Sequence, residues 1–203
     1  ESLEKLLVSN EIKFDQFLEL FTQLLISLEV AQRECQFTHF DLHTGNVMVR
    51  PVDNYHYSVP IENTSYDLKA KELLPVIIDF GFATSVVDGK VIGEFGFEGY
   101  GMMPFMVPGY DMYKFLIFCA KNATPTLRKK ITEMFTFYGK DDQYNIVKSN
   151  GSIDSLRLAT NEYCAKGTYT NVAKYTPLMF ADWLINHEKF GPITKKYLKV
   201  RER

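Results

Sequence analysis

His39-Phe40-Asp41-Leu42-His43-Thr44-Gly45-Asn46-Val47-Met48-Val49 and, further along, Val76-Ile77-Ile78-Asp79-Phe80-Gly81 are the stretches on which the reading of this chain turns. In the first, an Asp stands five residues before an Asn, and the Asn opens an apolar run. In the second, an Asp leaves a β-branched run, with a Gly two residues on. Phosphoryl transfer from a magnesium nucleotide needs a carboxylate to receive a hydroxyl proton, hard oxygen ligands for the metal, and strands to fix them. Asp41 fits the first requirement; Asn46 and Asp79 fit the second. Taken singly, they also read as a turn Asp, a loop Asn and a strand-end turn. Their order and shared context favour the chemistry.

Working outward, Phe14, Phe17, Leu18, Phe21, Leu24, Leu25, Leu28 and Ala31 recur at helical spacing, which predicts a core helix over 14–35. A short helix is expected over Ser2–Val8, with a polar break at Asn10–Lys13. Val47–Val49 reads as a strand, and Pro75 leads into a second, buried strand, Val76–Ile78. Residues 51–73 are polar and interrupted by Pro51 and Pro60, so they read as an insertion; a local strand at Tyr55-His56-Tyr57 is the alternative. Residues 79–111 are glycine-rich and largely irregular, with a hairpin turn at Asp88-Gly89. Further helices are predicted over Tyr110–Lys121, Pro125–Tyr138, Ile153–Lys166 and Pro177–Glu188, separated at 139–152 by a polar loop. Arg128, Lys129 and Lys130 are expected on a solvated face, and Trp183 in the core. Lys195, Lys196, Lys199, Arg201 and Arg203 read as a solvated basic tail over 191–203.

The 203 residues are 46% hydrophobic and 14% aromatic, enough for a folded core. A net charge of −2 gives no general pull toward nucleic acid or an anionic membrane. Cys35, Cys119 and Cys164 are odd in number and widely spaced, which favours free thiols in a reducing compartment over a disulfide framework or zinc site. No apolar stretch reaches membrane-spanning length. The expected location is therefore intracellular, cytoplasmic or nuclear.

These motifs resemble the protein-kinase-like superfamily. Asp41 matches the catalytic-loop Asp, Asn46 the metal-binding Asn, and Asp79-Phe80-Gly81 the Asp-Phe-Gly motif. The resemblance implies a mainly α (α+β) fold: a protein-kinase-like C-terminal lobe, helical with short β-strands at the catalytic cleft. It implies ATP and Mg²⁺ as cofactors, Asp41 as base, Asn46 and Asp79 as metal ligands, and Met48 and Ile78 as the floor of the adenine pocket. His43 stands where most Ser/Thr kinases carry a Lys that contacts the γ-phosphate, so it is either a phosphate donor or a solvent-facing loop His. His39 is implied to be a buried organiser of the loop. Asp111 resembles the helix-start Asp that bonds the catalytic-loop backbone.

The tripeptide His39-Phe40-Asp41 lacks the usual Arg that reads an activation-segment phosphate. Activity is therefore expected not to depend on phosphorylation of Thr84, Ser85 or Tyr100. The loop Asp-Leu-His-Thr-Gly-Asn is similar to those of haspin-like kinases and of Ser/Thr kinases encoded by large DNA viruses. A viral origin would add the virion and the host cell to the expected locations. The organisation implied is a long helix plus catalytic loop over 14–50, the insertion 51–73, an activation segment over 79–111, a helical subdomain over 110–190, and the tail. No Gly-rich nucleotide loop or strand Lys is present. An N-lobe preceding Glu1, or a covering protein, is thus an expected partner beside a protein substrate. A Ser/Thr protein kinase is the leading function. A non-catalytic kinase-derived scaffold or virion component and a small-molecule kinase are the alternatives.

Overall fold

The computed structural model describes residues 1–93, 98–99, 104–138 and 173–203. The predicted helix over 153–166, the loop over 139–152, Tyr100 and Cys164 lie outside them. Helix and sheet are mixed, as expected of an α+β fold. Helix α1 is Leu3–Val8, capped by the Ser2 hydroxyl, which accepts from the Lys5 amide. Helix α2 is Phe14–Cys35, as its periodicity predicts. Its apolar residues are buried, and so are Glu19, Thr22, Gln23, Glu29 and Gln32. A helix covered on nearly all sides lies at the centre of a domain rather than on its surface.

The buried polar groups of α2 hold other elements in place. Strands β1 (Val47–Pro51) and β4 (Leu73–Ile77) pair antiparallel, with Val47 opposite Ile77 and Met48 opposite Val76. Glu19 Oε1 accepts from the amides of Lys71, Glu72 and Leu73, at 2.6, 3.1 and 3.3 Å, and so fixes the entry to β4. Burial pushes the Glu19 carboxyl up from its ordinary value, and those amides oppose the shift. Glu29 Oε2 accepts from the Leu178 amide at 3.0 Å, near the start of α5 (Pro177–Asn186).

Two regions differ from expectation. Residues 51–73 form a hairpin of β2 (Tyr55–Ile61) and β3 (Thr64–Ala70), so the local-strand alternative is the one observed. Pro60 is tolerated because β2 is an edge strand. The stretch read as a solvated tail is instead ordered. Gly191–Thr194 forms the short helix α6, and Leu198–Glu202 forms β7, paired antiparallel with β3. The lysines and arginines dominate its composition, but Tyr197 and Leu198 are buried and anchor it.

The remaining elements follow the sequence closely. The Asp88-Gly89 turn, with φ of 51° and 74°, joins β5 (Ser85–Val87) to β6 (Lys90–Ile92). Such positive φ at both turn positions matches the twist of a two-residue hairpin. Helix α3 is Tyr110–Asn122, and α4 is Pro125–Glu133, extended by a 3₁₀ turn to Tyr138. Arg128 does not face solvent as expected. Its guanidinium donates to the carbonyls of Ala120, Lys121 and Ala123 and closes the C-terminal end of α3. Trp183 packs against Phe180 and Phe190 and is partly buried.

Leu198→Ala should therefore cost about 2–5 kcal/mol, the usual range for emptying a buried leucine site. Lys199→Ala should stay within about 0.5 kcal/mol. Urea unfolding of the two variants decides the matter; equal, small losses would mean that β7 does not contribute to the fold.

Candidate functional site

The loop after α2 is held from below by α3. The Asp111 carboxylate is fully buried and accepts from the amides of His39 and Phe40, at 2.7 and 2.9 Å. Burial pushes this carboxyl up from its ordinary value, while those two amides and the Lys114 ammonium act against the shift. The role implied for Asp111 is thus the geometry observed. At the far end of α3, the Asn122 amide donates to the Thr44 hydroxyl at 2.7 Å.

Phe40 is buried against the Tyr110 ring, 5.3 Å between centroids. Its φ of 60° is left-handed, uncommon for a bulky residue. Asp79 shares this feature at φ 61°. Among the described residues seven non-glycine positions have positive φ. Five of them, at Asn10, Gln36, Asn54, Glu62 and Asp88, flank elements or make turns. Phe40 and Asp79 instead lie within the two motifs, and strained backbone of this kind gathers at functional sites.

The structure brings the three predicted residues into one neighbourhood. Asn46 Nδ2 donates to the Asp41 carbonyl at 3.0 Å and lies 3.5 Å from Asp41 Oδ2. The Ile78 amide donates to the Asn46 carbonyl at 3.0 Å, which sets Asp79 one residue beyond a direct backbone bond to Asn46. His39 joins the two motifs. Its Nδ1 accepts from the Asp41 amide at 3.3 Å, so Nε2 carries the proton and donates to the Ile78 carbonyl at 3.0 Å. His39 is wholly buried, as an organiser of the loop would be.

His43 Nδ1 accepts from the Gly45 amide at 3.1 Å, which leaves Nε2 as the protonated nitrogen, 3.7 Å from Asp41 Oδ2. Gly45 has little space for a side chain: a Cβ there would meet the His43 ring at 2.9 Å. Asp41 has a further partner that sequence reasoning missed. Lys114, one turn along α3 from Asp111, donates to Asp41 Oδ1 at 2.7 Å and to the Phe40 carbonyl at 2.9 Å.

The second motif is more open than expected. Val76 and Ile78 are 39% and 37% exposed, where a buried strand was predicted, and Phe80 is 56% exposed. Among the described residues β4 pairs with β1 alone, and Val76 and Ile78, two residues apart, share one side of the chain that is left open. Phe80 lies against the His39 ring at 5.4 Å and the Phe37 ring at 6.1 Å. Met48 is half-buried opposite Val76. Asn46 and Asp79 offer a neutral and an anionic oxygen, a donor set that suits a hard cation. Among the described residues no group of three or more His, Cys, Asp and Glu side chains gathers, and no helix is long and apolar enough to cross a membrane.

Asp111→Asn should destabilise the protein by about 1–3 kcal/mol, because an amide offers one acceptor oxygen where two N–H groups need one each. Thermal melting or urea titration reads the loss. A change under about 0.5 kcal/mol would show that these two hydrogen bonds do not hold the loop.

No protein-family model matches the chain. It is 32% identical over 202 residues to Probable kinase 098L of Invertebrate iridescent virus 3, covering 98% of this chain and 35% of that protein. It is 30% identical over 105 residues to Uncharacterized protein 038R of the same virus, covering 48% of this chain and 19% of that protein. With Uncharacterized protein 179R of Invertebrate iridescent virus 6, identity is 25% over 187 residues, 87% of this chain and 15% of that protein. The chain thus spans about a third or less of the length of these relatives. Over nearly its whole length it is similar to a viral protein named as a kinase.

Proposed function

We propose that this chain supplies the catalytic-loop portion, a kinase-like C-lobe, of an ATP-dependent phosphotransferase acting on Ser or Thr hydroxyls of a protein. The observation that carries the reading is the pair of hydrogen bonds that ties Asn46 to Asp41 and sets Ile78, the neighbour of Asp79, against Asn46. Similarity to a viral protein named a probable kinase supports it.

In this reading Asp41 is the base. Its Oδ1 is occupied by Lys114, so Oδ2 is the oxygen that receives the proton of the acceptor hydroxyl. The hydroxyl oxygen bonds to the γ-phosphorus as the bond to the ADP oxygen breaks. Asn46 uses its amide nitrogen on the Asp41 carbonyl, and its side-chain oxygen is the atom left to serve as a metal ligand. Asn46 and Asp79 would hold Mg²⁺, whose charge offsets that of the phosphates when bound. His43, with Nε2 protonated, donates toward the phosphate from the side of Asp41 Oδ2. Met48 and Ile78 form one face of the adenine site. The exposed strip of Val76, Ile78 and Phe80 is where an N-lobe or a covering protein closes the other face.

The experiment uses the full-length protein with γ-labelled ATP and a protein acceptor. Asp41→Asn should lower transfer by about 10²–10⁴-fold, the usual contribution of a positioned base. Asp79→Ala should abolish the gain in ATP affinity that magnesium gives wild type, read by calorimetry. Unchanged transfer in Asp41→Asn removes the base assignment. Wild-type protein that transfers no label to any acceptor would leave a scaffold role, and label found only on a small molecule would replace the protein acceptor.

A further inference from the structure

Ser/Thr kinases that this chain resembles carry a lysine two residues after the catalytic Asp, where His43 stands here. His43 Nε2 is 3.7 Å from Asp41 Oδ2, beyond hydrogen-bond reach, and its Nδ1 is spent on the Gly45 amide. The cation that does reach Asp41 comes from another element. Lys114 Nζ lies 2.7 Å from Asp41 Oδ1, with the lysine side chain 14% exposed and the Asp41 side chain 28% exposed. The same ammonium lies 2.9 Å from the Phe40 carbonyl.

These contacts bracket one residue. The Phe40 amide ends on Asp111 and the Phe40 carbonyl on Lys114, three residues apart on one face of α3. Phe40 is the left-handed residue immediately before Asp41. A residue in that conformation persists when its surroundings fix it from both sides. Free surface ion pairs contribute little because both side chains can leave. Here the lysine is mostly covered and holds two acceptors, one on the strained residue and one on the reacting carboxylate.

We infer that Lys114 is a positioning residue for Asp41: from α3 it fixes Oδ1 and the Phe40 carbonyl, and thereby presents Oδ2 to the acceptor hydroxyl. The inference rests on the phosphotransferase reading above. It makes α3, through Asp111 and Lys114 together, the element that sets the aim of the base.

The test is steady-state kinetics of the full-length protein carrying Lys114→Met. The turnover number should fall about 10- to 100-fold, as expected when a reacting group is misplaced by an ångström or less. The KM for ATP should stay within about twofold, since the lysine acts on the base and not on the nucleotide. Lys114→Arg, which keeps a charged donor able to reach both oxygens, should recover most of the rate. In an Asp41→Asn background Lys114→Met should cost nothing further, because the two residues act as one unit. Unchanged turnover in Lys114→Met overturns the inference, as does a loss that adds fully to that of Asp41→Asn. Should Lys114→Met fail to fold, Lys114→Gln, whose amide can still donate to Phe40, carries the same comparison. A wild-type protein without any transfer overturns the phosphotransferase reading and this inference with it. An active wild type with an indifferent Lys114 overturns this inference alone.

Discussion

Two peptide N–H groups in the loop after α2 have no neighbouring strand or helical turn to accept them. They end on the two oxygens of Asp111, inside the protein. Buried amides left without acceptors cost on the order of 1–3 kcal/mol each, and a buried carboxylate without donors costs more. Each side of this contact therefore requires the other. The positions of Asp41, Asn46 and Asp79 all depend on where that loop sits. Burial works against the charged form of Asp111, and the two amides oppose that effect with directed hydrogen bonds.

The same arrangement recurs on α2. Glu19 gathers three consecutive amides at the entry to β4, and Glu29 takes an amide near the start of α5. A central helix surrounded by aromatic packing thus also serves as the hydrogen-bond partner of loops that cannot satisfy themselves. Phe17, Phe21 and Phe115 stack in sequence, and Phe180 meets Phe21 edge-on. The apolar contacts supply most of the stabilisation. The buried glutamates determine which connection lies against which helix.

Much of this was legible in the chain because it is local. The spacing of Phe14 to Ala31 gives α2, and Asp88-Gly89 gives the β5–β6 turn. Asp41 and Asn46 are five residues apart, so one window of sequence contains their relation. The interactions that escaped are those whose partners lie far apart. Nothing near Lys114 indicates that it reaches Asp41. Arg128 sits between residues that suit a wet face, and only the approach of α3 turns it inward. β7 was hidden by its charge: five basic residues outweighed Tyr197 and Leu198 in the reading, while the edge of β3 that accepts the strand lies more than a hundred residues earlier. The exposure of Val76 and Ile78 was missed because a β-branched run looks alike whether one face or both are covered.

Thr38 and Thr84 exchange backbone hydrogen bonds of 2.9 and 2.8 Å just outside the two motifs. On the other side, Ile78 is fixed through both its amide and its carbonyl, to Asn46 and His39. Residues 79–83 are thus a short span of chain pinned at both ends to the loop that carries Asp41. If Asp79 changes orientation, the movement is a crankshaft rotation within that span, with Gly81 near its middle to absorb the torsion. A span so tethered cannot drift away from Asp41 as a free loop would. The tethers confine any change of backbone setting to residues 79–83, so the hairpin beyond Thr84 need not move with it.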